Sequence, residues 1–313
     1  MFHPTAHFHE SPYALAMRLA IVVMLLACSS TDDEEPEVAP APTPLELREV
    51  RRVPTRAKAL IGRGDELLVG GEGELVRMID GEIVETLERP AYRGGALVEN
   101  GPLIAWPTWS RGDEVRELGE PGTRLLDSVA DAREVFELRE RDDTRLLHAY
   151  DANDPAEPRE LARGPRLSSP MALSDAWIAL VAGSVRVLER DGGREVALLS
   201  TGDRYAVRAL AFDGDELVGI DAQGTLIRWR LDRPERESEP TPVADPRSLT
   251  VEGDTTLVVG MREVWVRRRA GSGDRIGRHA LEAGQIESSL LLGDTLVLGV
   301  RGRPSHVLWL RIE

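Results

Sequence analysis

A turn pair followed by a short β run that ends in glycine recurs along this chain. Four copies are plain: Gly64-Asp65-Glu66-Leu67-Leu68-Val69-Gly70, Gly214-Asp215-Glu216-Leu217-Val218-Gly219, Gly253-Asp254-Thr255-Thr256-Leu257-Val258-Val259-Gly260 and Gly293-Asp294-Thr295-Leu296-Val297-Leu298-Gly299. Glycine at the first place admits the positive φ of a tight hairpin turn, and the apolar run behind it reads as a buried strand. Weaker copies start near Asn100-Gly101, Asp142-Asp143 and Ser174-Asp175. With Asp65, Gly101, Asp143, Asp175, Asp215, Asp254 and Asp294 as markers, the chain divides into seven units spaced by 32 to 42 residues.

That period is near the ~40–45 residues of a four-stranded propeller blade. The expected fold is therefore all-β: a β-propeller of seven four-stranded blades over residues 45–313. A second landmark keeps the same register, a later β run carrying Met78, Leu188, Trp229, Trp265 or Trp309, and its three tryptophans are read as packing between blades. The last unit (IESSLLLGDTLVLGVRGRPSHVLWLRIE) has room for only three strands, whereas Leu45 to Val53 (LELREVRRV) alternates like one strand. An open ring would leave unpaired edges, so this N-terminal strand is expected to close the last blade.

Val207 to Leu231 (VRALAFDGDELVGIDAQGTLIRWRL) resembles a WD40 blade, with Asp221, Gly224-Thr225, Ile227 and Trp229 in familiar places, though Trp-Arg stands where Trp-Asp is usual. Asp151-Ala152-Asn153-Asp154-Pro155-Ala156-Glu157-Pro158 resembles the Asp-x-x-Asp-Pro-x-x-Pro phrase of LVIVD repeats of bacterial surface propellers. Each resemblance covers about one blade, and both imply the same architecture.

Residues 17–27 combine a short positive start, Met17-Arg18, with a nine-residue apolar run from Leu19 to Ala27. A spanning helix needs ~20 apolar residues, so the segment reads as a signal peptide. Leu25-Leu26-Ala27-Cys28 resembles the lipobox of bacterial lipoproteins, which implies cleavage before Cys28 and diacylglyceryl attachment to its thiol. Two or more acyl chains anchor a protein stably. Ser29 after the cysteine, by analogy with Gram-negative sorting, favours the outer membrane, facing the periplasm or cell surface. Residues 1–16 fit no part of a signal peptide and read as a start-site over-extension, so His3, His7 and His9 are not taken as a metal site. Residues 28–44 form an acidic, proline-rich tether with too little apolar content to fold.

No second cysteine follows Cys28, so an exported domain must be held by a large core without disulfides. The formal charge of −15 argues against nucleic acid as a partner. His148, His279 and His306 fall in separate units and are read as scattered, with no metal site assigned. Asp151 to Asp154 lacks the glycine and distal glutamate of an EF-hand loop and reads as an Asx-turn. Gly183-Ser184 and Gly271-Ser272-Gly273 lack the G-x-S-x-G context of an exposed nucleophile. No catalytic residue and no cofactor is assigned. Trp106 and Trp109, which flank Pro107 and interrupt the repeat, are the candidate contact surface.

The expected function is a non-catalytic protein-binding or envelope scaffold, anchored through Cys28 to membrane lipid and engaging an envelope protein. Lipoprotein propellers that assist outer-membrane assembly offer an analogy. The alternatives are a lactonase-like propeller hydrolase, which would need acidic and amide side chains converging on the axis, and a small-ligand sensor using the central channel.

Overall fold

The computed structural model describes residues 42–313 except 64–65, 72–73, 89–94, 98–102, 106–107, 112–113, 118, 120, 132, 202–205, 234 and 271–272. Every element in it is a β-strand. In chain order, sheet 1 comprises Ala59–Arg63, Glu66–Gly70, Glu74–Ile79 and Glu82–Glu88; sheet 2 comprises Gly95–Leu97, Leu103–Ala105, Thr108–Arg111 and Glu114–Glu117. Sheet 3 holds Arg124–Ala130, Glu134–Arg141, Thr144–Asp151 and Arg159–Gly164, and sheet 4 holds Ser168–Leu173, Trp177–Ala182, Ser184–Glu189 and Glu195–Leu199. Sheet 5 is Val207–Asp213, Glu216–Asp221, Thr225–Arg230 and Arg236–Pro240. Sheet 6 is Pro246–Glu252, Thr255–Gly260, Glu263–Ala270 and Gly273–Ala280, with Thr43–Pro44 added in parallel at its outer edge. Sheet 7 is Gln285–Leu292, Thr295–Arg301 and His306–Ile312, with Leu47–Val53 antiparallel beside the last of these.

The fold is a propeller of four-stranded antiparallel blades, and the expectation of four strands everywhere needs one correction: six sheets have four strands and sheet 6 has five. The extra strand also moves the start of the ordered domain ahead of Leu45. Pairing of Thr43–Pro44 with Arg275 and Ile276 is continued by the Leu45 N–H, which donates to the Ile276 carbonyl at 2.8 Å. The Leu45 side chain is buried in the cluster between sheets 6 and 7, among Val264, Val266, Leu308 and Leu310. Burying one leucine is worth about 1.5–3 kcal/mol, enough to pin this short segment.

First strands adjoin in order, from Gln285–Leu292 beside Ala59–Arg63 onwards to Pro246–Glu252, and the Ser248 and Ser289 hydroxyls meet at 2.9 Å between sheets 6 and 7. The core lies between neighbouring sheets. Phe136, Leu138 and Leu147 of sheet 3 pack on Met171, Ile178 and Leu180 of sheet 4, and equivalent clusters fill the later junctions.

Antiparallel order sends the first-to-second and third-to-fourth turns to one face, here the turn face. The second-to-third turns and the links between sheets go to the other, the connection face. On this scheme four of the five markers among the described residues, Asp175, Asp215, Asp254 and Asp294, fall at first-to-second turns, but Asp143 does not. Asp142-Asp143 joins the second and third strands of sheet 3, and the equivalent turn there is 131–133. Both aspartates have positive φ, 46° and 63°, as a type I′ hairpin demands. Gly214, Gly253 and Gly293, with φ near 56–58°, take the first turn position that only glycine fills without strain.

All five bulky residues of the second landmark are buried. Met78, Leu188, Trp229 and Trp265 face the preceding sheet, whereas Trp309 pairs with Val297 and faces Leu67 and Met78 of sheet 1. The reading of the tryptophans as packing between blades stands, and all five residues lie on the third strand of their sheet, although Trp309 turns to the opposite face. The strand-ending glycines also gain a reason. A Cβ on Gly299 would sit 2.5 Å from the Ala57 carbonyl oxygen and 2.3 Å from the Ser288 hydroxyl, while a Cβ on Gly260 would sit 2.8 Å from the Ala244 carbonyl. Backbone cannot swing away as a side-chain tip can. Gly299→Ala is therefore expected to lower stability by about 1–3 kcal/mol, read from a reduced urea midpoint at unchanged slope; an unchanged midpoint would refute the close-approach argument.

Candidate binding cleft

Two of the domain's three histidines, separated in sequence, line one cleft of about 490 Å³ on the connection face between sheets 6 and 7. His279 comes from the end of Gly273–Ala280, and His306 opens the third strand of sheet 7. Glu49 and Arg52 come from the N-terminal strand Leu47–Val53, Glu282 and Gly284 from the link between the sheets, and Arg303 from the preceding turn. The reading of His279 and His306 as scattered is thus corrected, because adjoining sheets 6 and 7 and the N-terminal strand all line one opening. His148 does stand apart, buried on the side of sheet 3 that faces sheet 2 and edge-on to Tyr150 at 6.4 Å.

Within the cleft Arg52 donates to both Glu49 oxygens, at 3.0 and 2.7 Å. These bonds hold the Glu49 carboxyl below its ordinary range, and the nearby His279 and His306 act in the same direction. Burial pushes the half-buried His279 below its ordinary pKa, and the Glu49 carboxylate opposes that shift. The His306 Nδ1 lies 3.3 Å from the Pro304 carbonyl. Arg262 donates to the Leu281 and Glu282 carbonyls at 3.4 and 2.8 Å, which fixes the lower lip. Exposed Arg303 carries no ion pair among the described residues.

A larger groove of about 660 Å³ opens on the turn face between sheets 4 and 5. Trp177, tilted against Phe212 at 6.3 Å, sits with Val196, Ala197 and Leu231 among the paired charges Glu189–Arg194 and Arg230–Asp232. Leu198 beside it is 62% exposed. The inner ends of sheets 1, 6 and 7 enclose about 260 Å³ lined by Lys58, Arg247, Ser248, Glu287, Ser288 and Ser289. Among the described residues no group of three or more His, Cys, Asp or Glu is arranged to hold a metal ion.

The sequence candidates fare unevenly. Cys28 and Trp106 lie outside the described residues; Trp109 lies in Thr108–Arg111, opposite Ile104 and Arg116 in the pairing. The Asx-turn is found where expected, with the Asn153 N–H donating to the Asp151 side chain at 2.7 Å. Asp221 of the WD40-like unit, buried, accepts from the Gln223 and Thr225 N–H groups at 2.9 Å each. No helix among the described residues is long and apolar enough to cross a membrane.

This arrangement of sheets defines the β-propeller class. Among solved structures the chain is similar to that of BamB from Moraxella catarrhalis, with a TM-score of 0.53 and 13% identity over 85% of this chain and 100% of that one. At that identity the likeness speaks to fold. No protein-family profile and no curated protein matches the chain.

Proposed function

We propose that this chain is an exported, non-catalytic propeller, held to membrane lipid through acylated Cys28, that binds a protein partner in the cell envelope. The fold likeness to BamB supports a propeller of this kind, and the observation that carries the reading is that the strand Thr43–Pro44, where the described chain begins, starts on the face opposite the cleft. Thr43–Pro44 runs parallel to Gly273–Ala280 from its turn-face end, so the described chain begins at the turn face while the cleft opens at the connection face. Thirteen residues, 29–41, lie between Cys28 and Pro42, and the fourteen steps reach about 43 Å at ~3.1 Å per extended residue. The anchor would hold the turn face toward the bilayer and present the connection face away from it. In this reading the sheets form one ring of seven, closed where Leu47–Val53 completes sheet 7, and Trp106 and Trp109 remain proposed contact residues.

The test is affinity purification of the native protein from detergent-solubilised envelopes, with Cys28→Ala as the mislocalised control. A stoichiometric partner present with the wild type and lost with Cys28→Ala is the expected result. Cys28→Ala that still fractionates with membranes would sink the anchor, and recovery of no partner would turn the search to the channel.

A further inference from the structure

We propose that the cleft between sheets 6 and 7 binds a carboxylate-bearing peptide segment of the partner, and that its grip strengthens as the surroundings acidify. The proposal rests on the protein-binding reading above and names its surface. Six ionisable side chains face the opening: His279 from sheet 6, Glu282 from the link, and Glu49, Arg52, Arg303 and His306 from sheet 7. With both imidazoles neutral, two lining arginines stand against two carboxylates, and Arg262, held on the lip by the Leu281 and Glu282 carbonyls, adds one positive charge at the rim. With both protonated it gains two positive charges, in a chain whose formal charge is −15. The cleft thus acquires anion affinity through its histidines.

The division of labour favours an incoming carboxylate. Glu49 already occupies Arg52, whereas Arg303 is exposed and has no ion pair among the described residues, so of the two lining arginines Arg303 is the one open to a ligand. Pro54, Leu281, Ala283 and Pro304 add apolar wall, and about 490 Å³ accommodates a few side chains rather than a lone ion. Phosphate sites, by contrast, commonly use bidentate arginine clusters or helix N-termini, and here one arginine is open and no described helix exists. Burial holds His279 neutral until the pH drops below the usual histidine range, with Glu49 favouring and Arg52 opposing the charged form. Affinity should therefore rise chiefly below about pH 6.5.

The experiment titrates purified full-length protein with acetyl-Ala-Glu-Glu-Ala-amide, its Gln-Gln counterpart and inorganic phosphate, by calorimetry and by the histidine ring-proton resonances. The expected outcome is binding of the glutamate peptide alone, several-fold tighter at pH 5.5 than at pH 7.5, with shifts of His279 and His306. Arg303→Ala, at an exposed position whose loss should leave the fold intact, is expected to weaken binding roughly tenfold. His279→Gln is expected to flatten the pH dependence. Equal binding of the Gln-Gln peptide, affinity independent of pH, or an Arg303→Ala variant that binds as wild type would overturn the proposal, as would shifts produced by phosphate and not by peptide. A co-purifying partner that Arg303→Ala retains would overturn the cleft assignment while leaving the scaffold reading standing.

Discussion

Removing residues 42–53 is expected to leave a protein that no longer folds to a soluble monomer, while removing residues 29–41 leaves stability unchanged. The deleted segment contributes two strands. Thr43–Pro44 covers the edge of sheet 6, and Leu47–Val53 runs antiparallel to His306–Ile312 from Leu47 opposite Ile312 to Val53 opposite Val307. Glu46 and Glu313 exchange backbone hydrogen bonds of 3.1 and 2.9 Å, so the two ends of the described domain are tied directly. Without the segment, His306–Ile312 becomes an open edge flanked by Val307, Leu308 and Leu310, all now fully buried. Exposed apolar edges recruit other chains. Loss of Leu45 and of the ladder draws on a total stability of only about 5–15 kcal/mol. Size-exclusion chromatography and thermal unfolding of the two truncations decide the matter: equal melting temperatures would show that the ring does not depend on this strand. Leu45→Ala supplies a milder check, with an expected cost of about 2–5 kcal/mol.

How much of this could be read from sequence depends on which turns advertise themselves. Gly214-Asp215, Gly253-Asp254 and Gly293-Asp294 do, because a two-residue turn that opens with positive φ selects glycine, and the strand behind it is apolar on both faces. The first turn of sheet 3 does not. Asp131 there caps its turn with its own side chain, accepting from the Arg133 and Glu134 N–H groups at 2.7 and 3.0 Å, and needs no glycine. The marker consequently slipped to Asp142-Asp143, a genuine hairpin on the opposite face. The fifth strand of sheet 6 was hidden because Thr43–Pro44 makes its ladder from two residues whose composition matches the tether before them. The cleft was hidden for a different reason. His279 and His306 line one cleft with Glu49 and Arg52 of Leu47–Val53, whose docking spans nearly the whole domain and leaves no periodic trace.

Arg190 sits at the joint that the slipped marker concealed, and Arg190→Met is expected to cost about 3–5 kcal/mol, as loss of one partner from a buried ionic network does. Its guanidinium, 2% exposed, donates to both Asp131 oxygens at 2.6 and 2.8 Å, to Glu134 at 2.6 Å and to the Ser174 carbonyl at 3.1 Å. It also lies over the Phe136 ring, 5.3 Å from the centroid. Sheet 4 is thereby bolted to the first turn of sheet 3, with Arg159 bridging Glu134 and the Arg190 carbonyl at 2.7 and 3.3 Å. Methionine fills the apolar stem but removes the cation that both carboxylates share, leaving Asp131 with Arg133 at 3.9 Å and Glu134 with Arg159 alone. Burial raises the Asp131 pKa, yet the bonds from Arg190 and from the Glu134 and Arg133 N–H groups outweigh it, so the carboxyl ends below its ordinary value. A folded pKa lower than the unfolded one means that the unfolded chain binds the extra proton. The stabilisation is therefore present above the unfolded value of about 4 and is lost as the pH falls further. Urea titrations of wild type and Arg190→Met should thus differ most near neutral pH and converge toward pH 3. Adding Asp131→Asn and Glu134→Gln to Arg190→Met should recover part of the loss, since the charges that lost their shared cation then disappear. A gap that stays constant across this range, or a triple variant no more stable than the single one, would mean that Arg190 acts through packing on Phe136 rather than through its charge.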